Sequence, residues 1–568
     1  MNDRLRAAID DYEAANCDER GPLRGAAFTA VYRASQGMPV SHIAPETEAL
    51  NDAAAGWCET MLARLEAFDA AALSEQDRVS LAILRLAIER RLEGTRYYWH
   101  AVSVTPYRSF VTAFQTVFRS FAIDGEDARA RYLAAIRDVG GYARAAREKL
   151  EGQVARGIVL PRRVLGPIVA THRAAANVEN SPFLAAAKRP EAASESVRER
   201  FLADACDALR AHVVPAVERL VEYLEGAYAA AASSQWGQSA LPGGNAYYRY
   251  AVRANTTLEL SPEDIHATGL QTVAELREAM AALRSRVGFT GTAAEFHAKL
   301  RTDPRFVPQT PEEIGDRLER FARLADGALD RFFLRRPKAP FAAKRLPADL
   351  EAGMTFGYYH PGARTGETGH YFFNGSNLPE RSLLSVASLA LHELVPGHHY
   401  EINVARENPE LPRFRAFAAI STYIAAYHEG WAEYAADLGK EFGAYEDPYD
   451  LYGRHALDAF ISSRLVVDTG MNALGWSYQR AEAFLRENTL LSETEIASEL
   501  PRYATDLPGQ GLAYKLGALT FARLRDETRA KLGSAFDARA FHDKIVTNGG
   551  MPLTLVESEM ARFADRAT

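Results

Sequence analysis

The chain has few cysteines and lacks long apolar or basic runs, and each absence excludes a class of protein. Three cysteines occur in 568 residues, an odd number at wide spacing, which excludes a disulfide framework and a thiolate zinc site. No stretch reaches the roughly 18 consecutive apolar residues of a membrane-spanning helix. Basic residues form no long run, so the sequence carries no nucleic-acid footprint.

The amino-terminal sequence, MNDRLRAAIDDYEAANCDER, contains acidic residues throughout and no apolar segment of signal-peptide length. We therefore expect a cytoplasmic protein without membrane or nucleic-acid partners. Hydrophobic residues make up 47% and charged residues 25% of the chain, the proportions of an ordinary globular protein. The net charge of −8 is compatible with neutral or cationic small substrates, and most of it is expected to be solvated surface.

Helical periodicity dominates most of the chain. Residues 194–231 predict one long helix with a kink at Pro215. The stretch 233–248 is rich in Gly, Ser and Pro and predicts a hinge or long loop. We therefore expect an N-terminal helical region, residues 1–240, and a catalytic region, residues 241–568, which together form one two-lobed unit.

A short aromatic segment interrupts the helical pattern. MTFGYYH (Met354–His360) and GHYFFN (Gly369–Asn374) are β-prone and separated by turn residues, so they predict a strand pair. Residues 335–348, which contain three prolines, predict a connection. The predicted fold class is mostly α, with one small β element just before the richest motif. An exposed strand edge at that place could bind an extended peptide.

The segment SVASLALHELVPGHHYEINVA, residues 385–405, holds the richest set of metal-binding side chains. A zinc hydrolase needs neutral imidazoles, often a carboxylate, and an open position for water. The usual pattern is H-E-x-x-H, in which the two histidines lie four residues apart on one helix face. Here the second histidine is displaced by two residues, giving HELVPGH from His392 to His398.

This displacement requires a break in helical geometry. Six residues rotate a straight helix by about 600°, and seven rotate it by about 700° while advancing about 10 Å, so neither His398 nor His399 could share one metal site with His392. Pro396 and Gly397 permit a widened turn or bulge that would absorb the two extra residues. Such a turn would bring His398 beside His392, with His399 as the alternative ligand.

A following segment supplies carboxylates. TYIAAYHEGWAEYAADL, residues 422–438, places Glu429 and Glu433 four apart in an otherwise apolar helix, where two acids are costly to bury unless they are paired or bind metal. We predict Glu429 as a metal ligand and Glu433 as the acceptor of a ring N–H from a ligating histidine. The alternative is that both acids face solvent and His428 belongs to the core. Glu393 is the predicted general base, which takes a proton from a metal-activated water.

Four stretches resemble the large bacterial family named domain of unknown function 885. They are HELVPGH from His392, EGWAEYA from Glu429, RYATDLPGQGLAYKLG from Arg502 and GNAYYRYAVRANTTLELSPEDIHATGL from Gly244. The resemblance covers most of the chain. That family is in turn similar to the gluzincin zinc metallopeptidases, zincin-like helical enzymes in which two helical halves flank a deep cleft.

The resemblance implies one bound Zn²⁺ ion held by His392, His398 and Glu429, and it favours His398 over His399. In gluzincins an acid four residues after the ligating glutamate supports a histidine. Glu433 stands at that offset, so the resemblance implies that it orients a ligating ring.

The chain departs from the family's usual residues at three positions. The family often has Leu where Glu433 stands and Glu where Ala436 stands, so the supporting role of Glu433 is expected to be particular to this chain. In RLVVDTGMNALGW, Asn472 occupies a position where the family usually has His. If that His serves catalysis, its replacement implies an altered substrate preference or rate.

Five further residues are candidates for catalysis or substrate binding. The hydroxyl of Tyr514 could stabilise a tetrahedral oxyanion. Arg502 or Lys515 could bind a substrate carboxylate, with Gln510 in the same motif. Asn374, at the end of the second predicted strand, could hydrogen-bond a peptide backbone. The alternatives are a packed Tyr514, a solvated Lys515 and a turn-forming Asn374.

These residues predict a zinc-dependent hydrolase, in the first place a metallopeptidase that cleaves short peptides in the manner of a carboxypeptidase or dipeptidase. A zinc amidohydrolase acting on a non-peptide amide or metabolite is the second hypothesis, because a site does not determine the leaving group. A non-catalytic, metal-stabilised binding protein is the third. Glu393 argues against the third, since a structural zinc site has no use for an adjacent base.

Overall fold

The structure is a computed structural model that describes residues 1–23, 27–35, 37–189, 194–351, 357–417 and 422–567. Contacts within the chain define two compact units. Residues 1–250 with 504–506 form the first unit, and residues 251–503 with 507–568 form the second. The boundary falls inside the helix Gly244–Thr256.

Helices build the described part of the first unit. Its α-helices span Asp3–Cys17, Ala27–Ser35, Glu48–Glu66, Glu75–Thr95, Phe110–Ser120, Gly125–Ala155, Leu165–Ala176, Glu195–Ala208, Val214–Tyr223 and Ala229–Ala231. Local capping explains where several begin. Ser109, for example, caps Phe110–Ser120 in a reciprocal capping box with Thr112. Short 3₁₀ turns lie at Ala70–Ala72, Arg162–Val164, Pro182–Leu184 and Gln238–Ala240.

Aromatic and aliphatic side chains fill the core of the first unit. Phe118 is fully buried there and packs edge to face against Tyr132, with ring centroids 5.2 Å apart. Phe114 meets Tyr142 in the same way at 5.1 Å. Such pairs add about 0.5–1.5 kcal/mol beyond the burial of their area. The first unit therefore has a conventional apolar core.

The long helix predicted over residues 194–231 forms with two irregular turns. Its α-helical parts are joined by π-helical segments at Leu209–Val213 and Leu224–Tyr228. Because Pro215 has no N–H to donate, the helix before it must rearrange, and the first π segment ends two residues earlier. The predicted irregularity at Pro215 is thus present as a widened turn.

The second unit is also mainly helical. Its larger α-helices span Pro262–Arg286, Ala293–Thr302, Pro311–Ala328, Val386–Glu393, His398–Arg406, Ala425–Asp437, Pro448–Asn472, Tyr478–Asn488, Glu493–Pro501, Leu512–Leu532, Ala538–Val546 and Leu553–Ala567. Shorter helical pieces lie at Leu329–Arg331, Ala348–Glu351, Leu378–Glu380, Arg413–Ala416, Gly439–Phe442 and Gly533–Ala535. A π segment spans Arg502–Asp506, of which residues 504–506 belong to the first unit. The prediction of a mostly α protein is confirmed.

A three-stranded sheet is the β element of the second unit. Strand β1 spans Phe341–Arg345, β2 spans Gly357–His360 and β3 spans Gly369–Phe373, in the spatial order β1-β3-β2. The antiparallel pair β2–β3 confirms the predicted strand pair, although residues 354–356 of the first predicted strand lie outside the described residues. Strand β1 runs parallel to β3 inside residues 335–348, so the prediction of a plain connection there is wrong. The three prolines suggested a connection, but the residues between Pro340 and Pro347 include a five-residue strand.

Two helices of the second unit cross at glycines. We call Ala425–Asp437 the glutamate helix and Leu512–Leu532 the late helix. A Cβ atom on Gly430 would lie 2.4 Å from Cα of Gly517, and one on Gly517 would lie 2.1 Å from the carbonyl oxygen of Ala426. Only glycine permits this approach, which brings the late helix against the face that carries Glu429.

Among the described residues, no helix is both long enough and apolar enough to cross a bilayer.

Candidate metal centre

The HELVPGH motif folds as two helices rather than as one bulged helix, which corrects the predicted widened turn. The first motif helix, Val386–Glu393, ends just after His392, and the second motif helix, His398–Arg406, begins at the other histidine. The Val395–Pro396 peptide between them is cis. A Cβ on Gly397 would lie 1.8 Å from the carbonyl oxygen of His392, so this return of the chain requires glycine.

Trp431 joins this turn to the glutamate helix. Its indole Nε1 donates a 3.0 Å hydrogen bond to the carbonyl oxygen of Pro396, and the ring is fully buried. The tryptophan of the EGWAEYA motif therefore holds the Pro-Gly turn of the HELVPGH motif. This contact places Glu429 beside the two histidines.

Three ligand atoms converge at this place. Nε2 of His392 lies 3.6 Å from Oε2 of Glu429, and Nε2 of His398 lies 3.4 Å from the same oxygen. Ligand atoms of all three side chains lie within 4.8 Å of one another. The structure thus brings together the three residues that the sequence predicted as metal ligands.

This donor set fits a zinc ion. Zinc bonds of about 2.0–2.1 Å in tetrahedral geometry place neighbouring ligand atoms about 3.3 Å apart. The two distances to Glu429 Oε2 are close to that value. Two imidazoles and one carboxylate are also the donors of catalytic zinc sites, which leave one position for water.

Glu433 links His392 to a buried arginine. Its Oε1 lies 2.8 Å from Nδ1 of His392, and its Oε2 accepts a 2.9 Å hydrogen bond from Nη1 of Arg454. All three side chains are buried, so the alternative of a solvent-facing Glu433 is wrong. Burial lowers the pKa of His392, but its contacts with Glu429 and Glu433 outweigh this and raise the pKa to about 9. Because Glu433 favours a proton on Nδ1, Nε2 is the nitrogen that would bind a cation, and it would release its own proton on doing so.

Arg454 connects this pair to a second acid. Its Nη2 lies 3.9 Å from Oδ2 of Asp458, whose Oδ1 accepts a 2.6 Å hydrogen bond from Nζ of Lys515. Both Asp458 and Lys515 are buried. The structure therefore places the ammonium of Lys515, predicted as a carboxylate-binding group, in an internal ion pair with Asp458.

Glu401 lies on the Nδ1 side of His398. Its Oε1 lies 2.8 Å from Nδ1 of His428 and 3.9 Å from Nδ1 of His398. Glu401 and His428 are almost inaccessible to solvent. The hydrogen bond with His428 fixes the carboxylate, whose negative charge then favours a proton on the Nδ1 side of His398.

His399, the alternative ligand, has structural partners at both ring nitrogens. Nε2 lies 3.0 Å from the carbonyl oxygen of Ala339, and Nδ1 lies 3.0 Å from the hydroxyl of Tyr359 in β2. Burial lowers the pKa of His399 to about 4, so the ring is neutral. His399 thus ties the second motif helix to the sheet, while His398 faces Glu429.

Glu393 follows His392 and is half-buried. Burial raises the pKa of its carboxyl group, against the opposing effect of the nearby histidines His392 and His398. Within the described part of the chain, no side chain hydrogen-bonds to this carboxylate. An acid that is close to the cluster and not bound elsewhere suits the role of a general base.

Tyr514 lies on the late helix beside His392. Their rings are nearly parallel, with centroids 6.3 Å apart, and the guanidinium of Arg464 lies 4.8 Å from the tyrosine ring centroid. Burial raises the pKa of Tyr514 to about 12, so its hydroxyl stays protonated and able to donate. Tyr514 is therefore packed, which was the alternative to a catalytic role, and its ring also lies near the proposed ligand His392.

Arg502 and Gln510 form a polar group near Tyr514 and Arg464. Nη2 of Arg502 donates a 2.8 Å hydrogen bond to Oε1 of Gln510. Glu499 pairs with Arg502 at 3.4 Å and with Arg464 at 3.1 Å, so one acid faces two guanidinium groups. The group carries an excess positive charge close to Tyr514.

A protein-family comparison shows what the chain is related to. The family model described as "Bacterial protein of unknown function (DUF885)" matches residues 32–560. The chain belongs to this family. Among curated proteins, none matches the chain.

Two solved structures share the fold of this DUF885 member. A candidate lipoprotein from Colwellia psychrerythraea has a TM-score of 0.89 at 22% sequence identity, over 99% of this chain and 99% of that chain. A candidate lipoprotein of unknown function from Shewanella oneidensis has a TM-score of 0.72 at 15% identity, over 98% of this chain and 99% of that chain. At such low identity the likeness shows the fold alone.

Two polar residues singled out in this DUF885 chain have structural roles. Asn374, predicted as a substrate contact or a turn-forming residue, is buried, donates to the carbonyl oxygen of Glu351 at 2.8 Å and accepts from Ser376. Asn472, where the family usually has His, donates 3.0 Å hydrogen bonds to the carbonyl oxygens of Asp468 and Tyr503. Both amides stabilise the local backbone.

Sequence reasoning missed four residues around the cluster: Tyr423, Glu401, Arg454 and Asp458. A signal existed for two of them. Arg454 and Asp458 lie four apart in the buried helix Pro448–Asn472, so the cost of burying charge applies to them as it did to Glu429. Glu401 and Tyr423 were missed because their hydrogen-bond partners lie outside helical spacing: His428 is 27 residues from Glu401, and Glu429 is 6 residues from Tyr423.

Proposed function

We propose that this chain is a one-zinc hydrolase, and specifically a metallopeptidase that cleaves short peptides. The observation that carries the proposal is the convergence of Nε2 of His392, Nε2 of His398 and Oε2 of Glu429 at the spacing of zinc ligands. Glu393 follows His392 directly, and its carboxylate accepts no hydrogen bond from the side chains that the structure describes. A structural zinc site is usually closed by four protein ligands, whereas this set supplies three.

Each nearby residue has a part in the proposed reaction. A zinc ion bound by the three ligands would lower the pKa of a water molecule and polarise the substrate carbonyl. Glu393 accepts the proton of the attacking water and returns it to the leaving amine. Glu433 holds the ring of His392 in one tautomer and orientation. The hydroxyl of Tyr514 donates a hydrogen bond to the substrate carbonyl oxygen, on which negative charge develops.

Substrate binding is proposed at two places. The guanidinium of Arg502 and the amide of Gln510 suit a free carboxylate, because planar donors match carboxylate geometry. Strand β2 is an edge of the sheet, and its Tyr359 reaches the histidine next to His398. As an edge strand, β2 could pair with an extended peptide. A small peptide or amide is accordingly the proposed substrate.

The relationship to gluzincins, including a cleft flanked by two helical halves, is part of this proposal. So is a cytoplasmic location without membrane or nucleic-acid partners. The positions of Glu429 and of Glu433, four residues later, support the relationship. In gluzincins the same offset separates the ligating glutamate from the acid that supports a histidine.

Metal content tests the proposal. Elemental analysis of the purified protein should find about one zinc per chain, which is the stoichiometry of a three-ligand site of this kind. His398→Ala and Glu429→Ala should lose the metal. His399→Ala is the matched control, since it removes a neighbouring imidazole that faces the sheet, and it should keep the metal.

Thermal unfolding of each variant distinguishes loss of a ligand from loss of the fold. A wild-type protein that folds but binds no zinc at any ratio would overturn the proposal. If the protein binds zinc but cleaves none of a broad set of di- to decapeptides, the proposed substrate becomes a non-peptide amide.

A further inference from the structure

We propose that Tyr423 is a positioning residue that makes Glu429 present one carboxylate oxygen to the metal instead of two. The inference rests on the proposed function, since it concerns the ligand Glu429. It explains how the site keeps a coordination position open for water. Tyr423 lies in the segment 422–438 that supplies Glu429, but no sequence motif assigns it a role.

The two oxygens of Glu429 have different partners. Oε2 faces the histidines, 3.6 Å from Nε2 of His392 and 3.4 Å from Nε2 of His398. Oε1 accepts a 2.6 Å hydrogen bond from the hydroxyl of Tyr423. Hydrogen bonds between a hydroxyl and an ionised carboxylate are short and strong, and this distance is typical of them. The carboxylate is therefore divided between a metal-facing oxygen and a tyrosine-facing oxygen.

This division bears on coordination number. A carboxylate can bind a cation through one oxygen or through both. A catalytic zinc site keeps a position for water beside its three protein ligands, and a second oxygen of Glu429 would compete for it. The Tyr423 hydroxyl occupies Oε1 and so disfavours the two-oxygen mode.

Neighbouring side chains hold the tyrosine ring in place. The ring of Tyr423 stacks on that of His428, with centroids 5.2 Å apart and an angle of 10° between the planes. His428 is itself fixed by Glu401, whose Oε1 lies 2.8 Å from its Nδ1. His428 and Glu401 are 2% and 1% exposed, whereas Tyr423 is 40% exposed. A buried pair thus supports a tyrosine whose ring is partly open to solvent and whose hydroxyl reaches a ligand.

Tyr423→Phe removes the hydroxyl alone, and partial exposure of the ring limits the effect on folding. The matched control is Tyr427→Phe. Tyr427 lies one turn further along the same segment and donates to the carbonyl oxygen of Ile545 at 3.1 Å instead of to Glu429. Both variants and the wild type are loaded with Co²⁺, whose visible absorption bands weaken when its coordination number rises. Dissociation constants for Zn²⁺ and Co²⁺ are measured against a chromophoric chelator.

For the wild type and Tyr427→Phe we expect the same intense cobalt spectrum and the same affinity. For Tyr423→Phe we expect weaker, shifted bands, because the released oxygen joins the metal. We also expect the affinity of this variant for Zn²⁺ and Co²⁺ to fall by about 10-fold, because Glu429 loses the hydrogen bond that orients it. This is the lower end of the usual loss when a group that orients a metal ligand is removed. If Tyr423 had only a structural role, Tyr423→Phe would unfold at a lower temperature than the wild type, and its cobalt spectrum would be the same as that of the wild type.

Identical spectra and affinities for Tyr423→Phe and the wild type would overturn the inference and leave the proposed function standing. A wild-type protein that binds neither Zn²⁺ nor Co²⁺ would overturn both. The two failures are distinguished by the wild-type titration alone.

Discussion

The core of the first unit and the interior around the histidines of the second unit differ in kind. The first unit is held by an apolar cluster in which rings such as Phe114, Phe118 and Tyr132 pack edge to face. In the second unit, the interior around the histidines contains buried charges. They include Glu401, Glu429, Glu433, Arg454, Asp458, Arg464, Glu499 and Lys515. These charges are arranged in opposed pairs and chains.

The contrast shows two uses of burial. An apolar core stabilises the fold because it removes hydrocarbon from water. A buried ion pair contributes little net stability, since desolvation costs about as much as the attraction returns. The charges around the histidines are therefore better explained by orientation of the three proposed metal ligands than by stability.

Glu393→Gln should separate chemistry from structure most sharply. Removing a general base reduces the rate by about 10²–10⁴-fold, while the amide keeps the size of the side chain. We expect kcat/KM on any cleaved peptide to fall by that factor, with zinc content and the free energy of unfolding unchanged. Activity equal to that of the wild type would contradict the role given to Glu393.

Arg454→Met should destabilise the second unit, because it leaves Glu433 buried without its cationic partner. Breaking a buried pair in this way costs about 3–5 kcal/mol. The matched change in the first unit is Phe118→Ala, which should cost a similar 3–5 kcal/mol through loss of packing. Urea titration measures both losses. Only Arg454→Met should also weaken zinc binding, since only it disturbs the carboxylate that orients His392.

The double variant Arg454→Met, Glu433→Leu removes the whole pair. We expect most of the lost stability to return, because an apolar replacement of a buried pair is often neutral. Zinc affinity should nonetheless fall by about 10–100-fold, the usual cost of losing a group that orients a ligand. Recovery of both properties would show that the pair serves stability alone.

Acid should weaken the second unit through His542. Its Nδ1 lies 2.8 Å from the carbonyl oxygen of Phe332, and its Nε2 lies 2.7 Å from the hydroxyl of Tyr434, so the neutral ring has partners at both nitrogens. Burial lowers its pKa to about 4; Arg525 adds to this effect, and Glu441 opposes it. The unfolded chain, with a pKa near 6.5, takes up the proton first as pH falls. The stabilisation is therefore complete above pH ~6.5 and is lost as pH falls toward ~4.

His542→Gln isolates this contribution. The difference in free energy of unfolding between wild type and variant should shrink by about 2 kcal/mol between pH 7 and pH 4.5. Comparison with the variant cancels effects of acid on the metal ligands. A difference that stays constant with pH would contradict a neutral, buried His542.

Local patterns predicted much of the fold. Helical periodicity predicted a mostly α chain, and alternating aromatic residues predicted the pair β2–β3, because these patterns reflect the side-chain period of each element. Strand β1 was missed, since its pairing partner β3 follows more than twenty residues later and flanking prolines suggested a connection. Parallel pairing of this kind is a long-range property that a local window does not contain.

Spacing and residue type predicted the triad His392, His398 and Glu429 as one cluster, and the structure brings these side chains together. The partners of that cluster could not be predicted in the same way. Arg454 reaches Glu433 from another helix, and Tyr423 reaches Glu429 from a loop. The ion pair of Lys515 with Asp458 could not be predicted either, because the motif around Lys515 does not show which residue lies beside it in space.

The sequence by itself determined which side chains have metal-binding chemistry, and it required a break in the helix between the two histidines, because six intervening steps do not return to one helix face. The tertiary structure decided the rest. It places His398 toward Glu429 and His399 toward the sheet, and it directs one oxygen of Glu429 to Tyr423. The physical reason is that orientation and protonation depend on neighbours in space, which the packing of separate helices brings into contact.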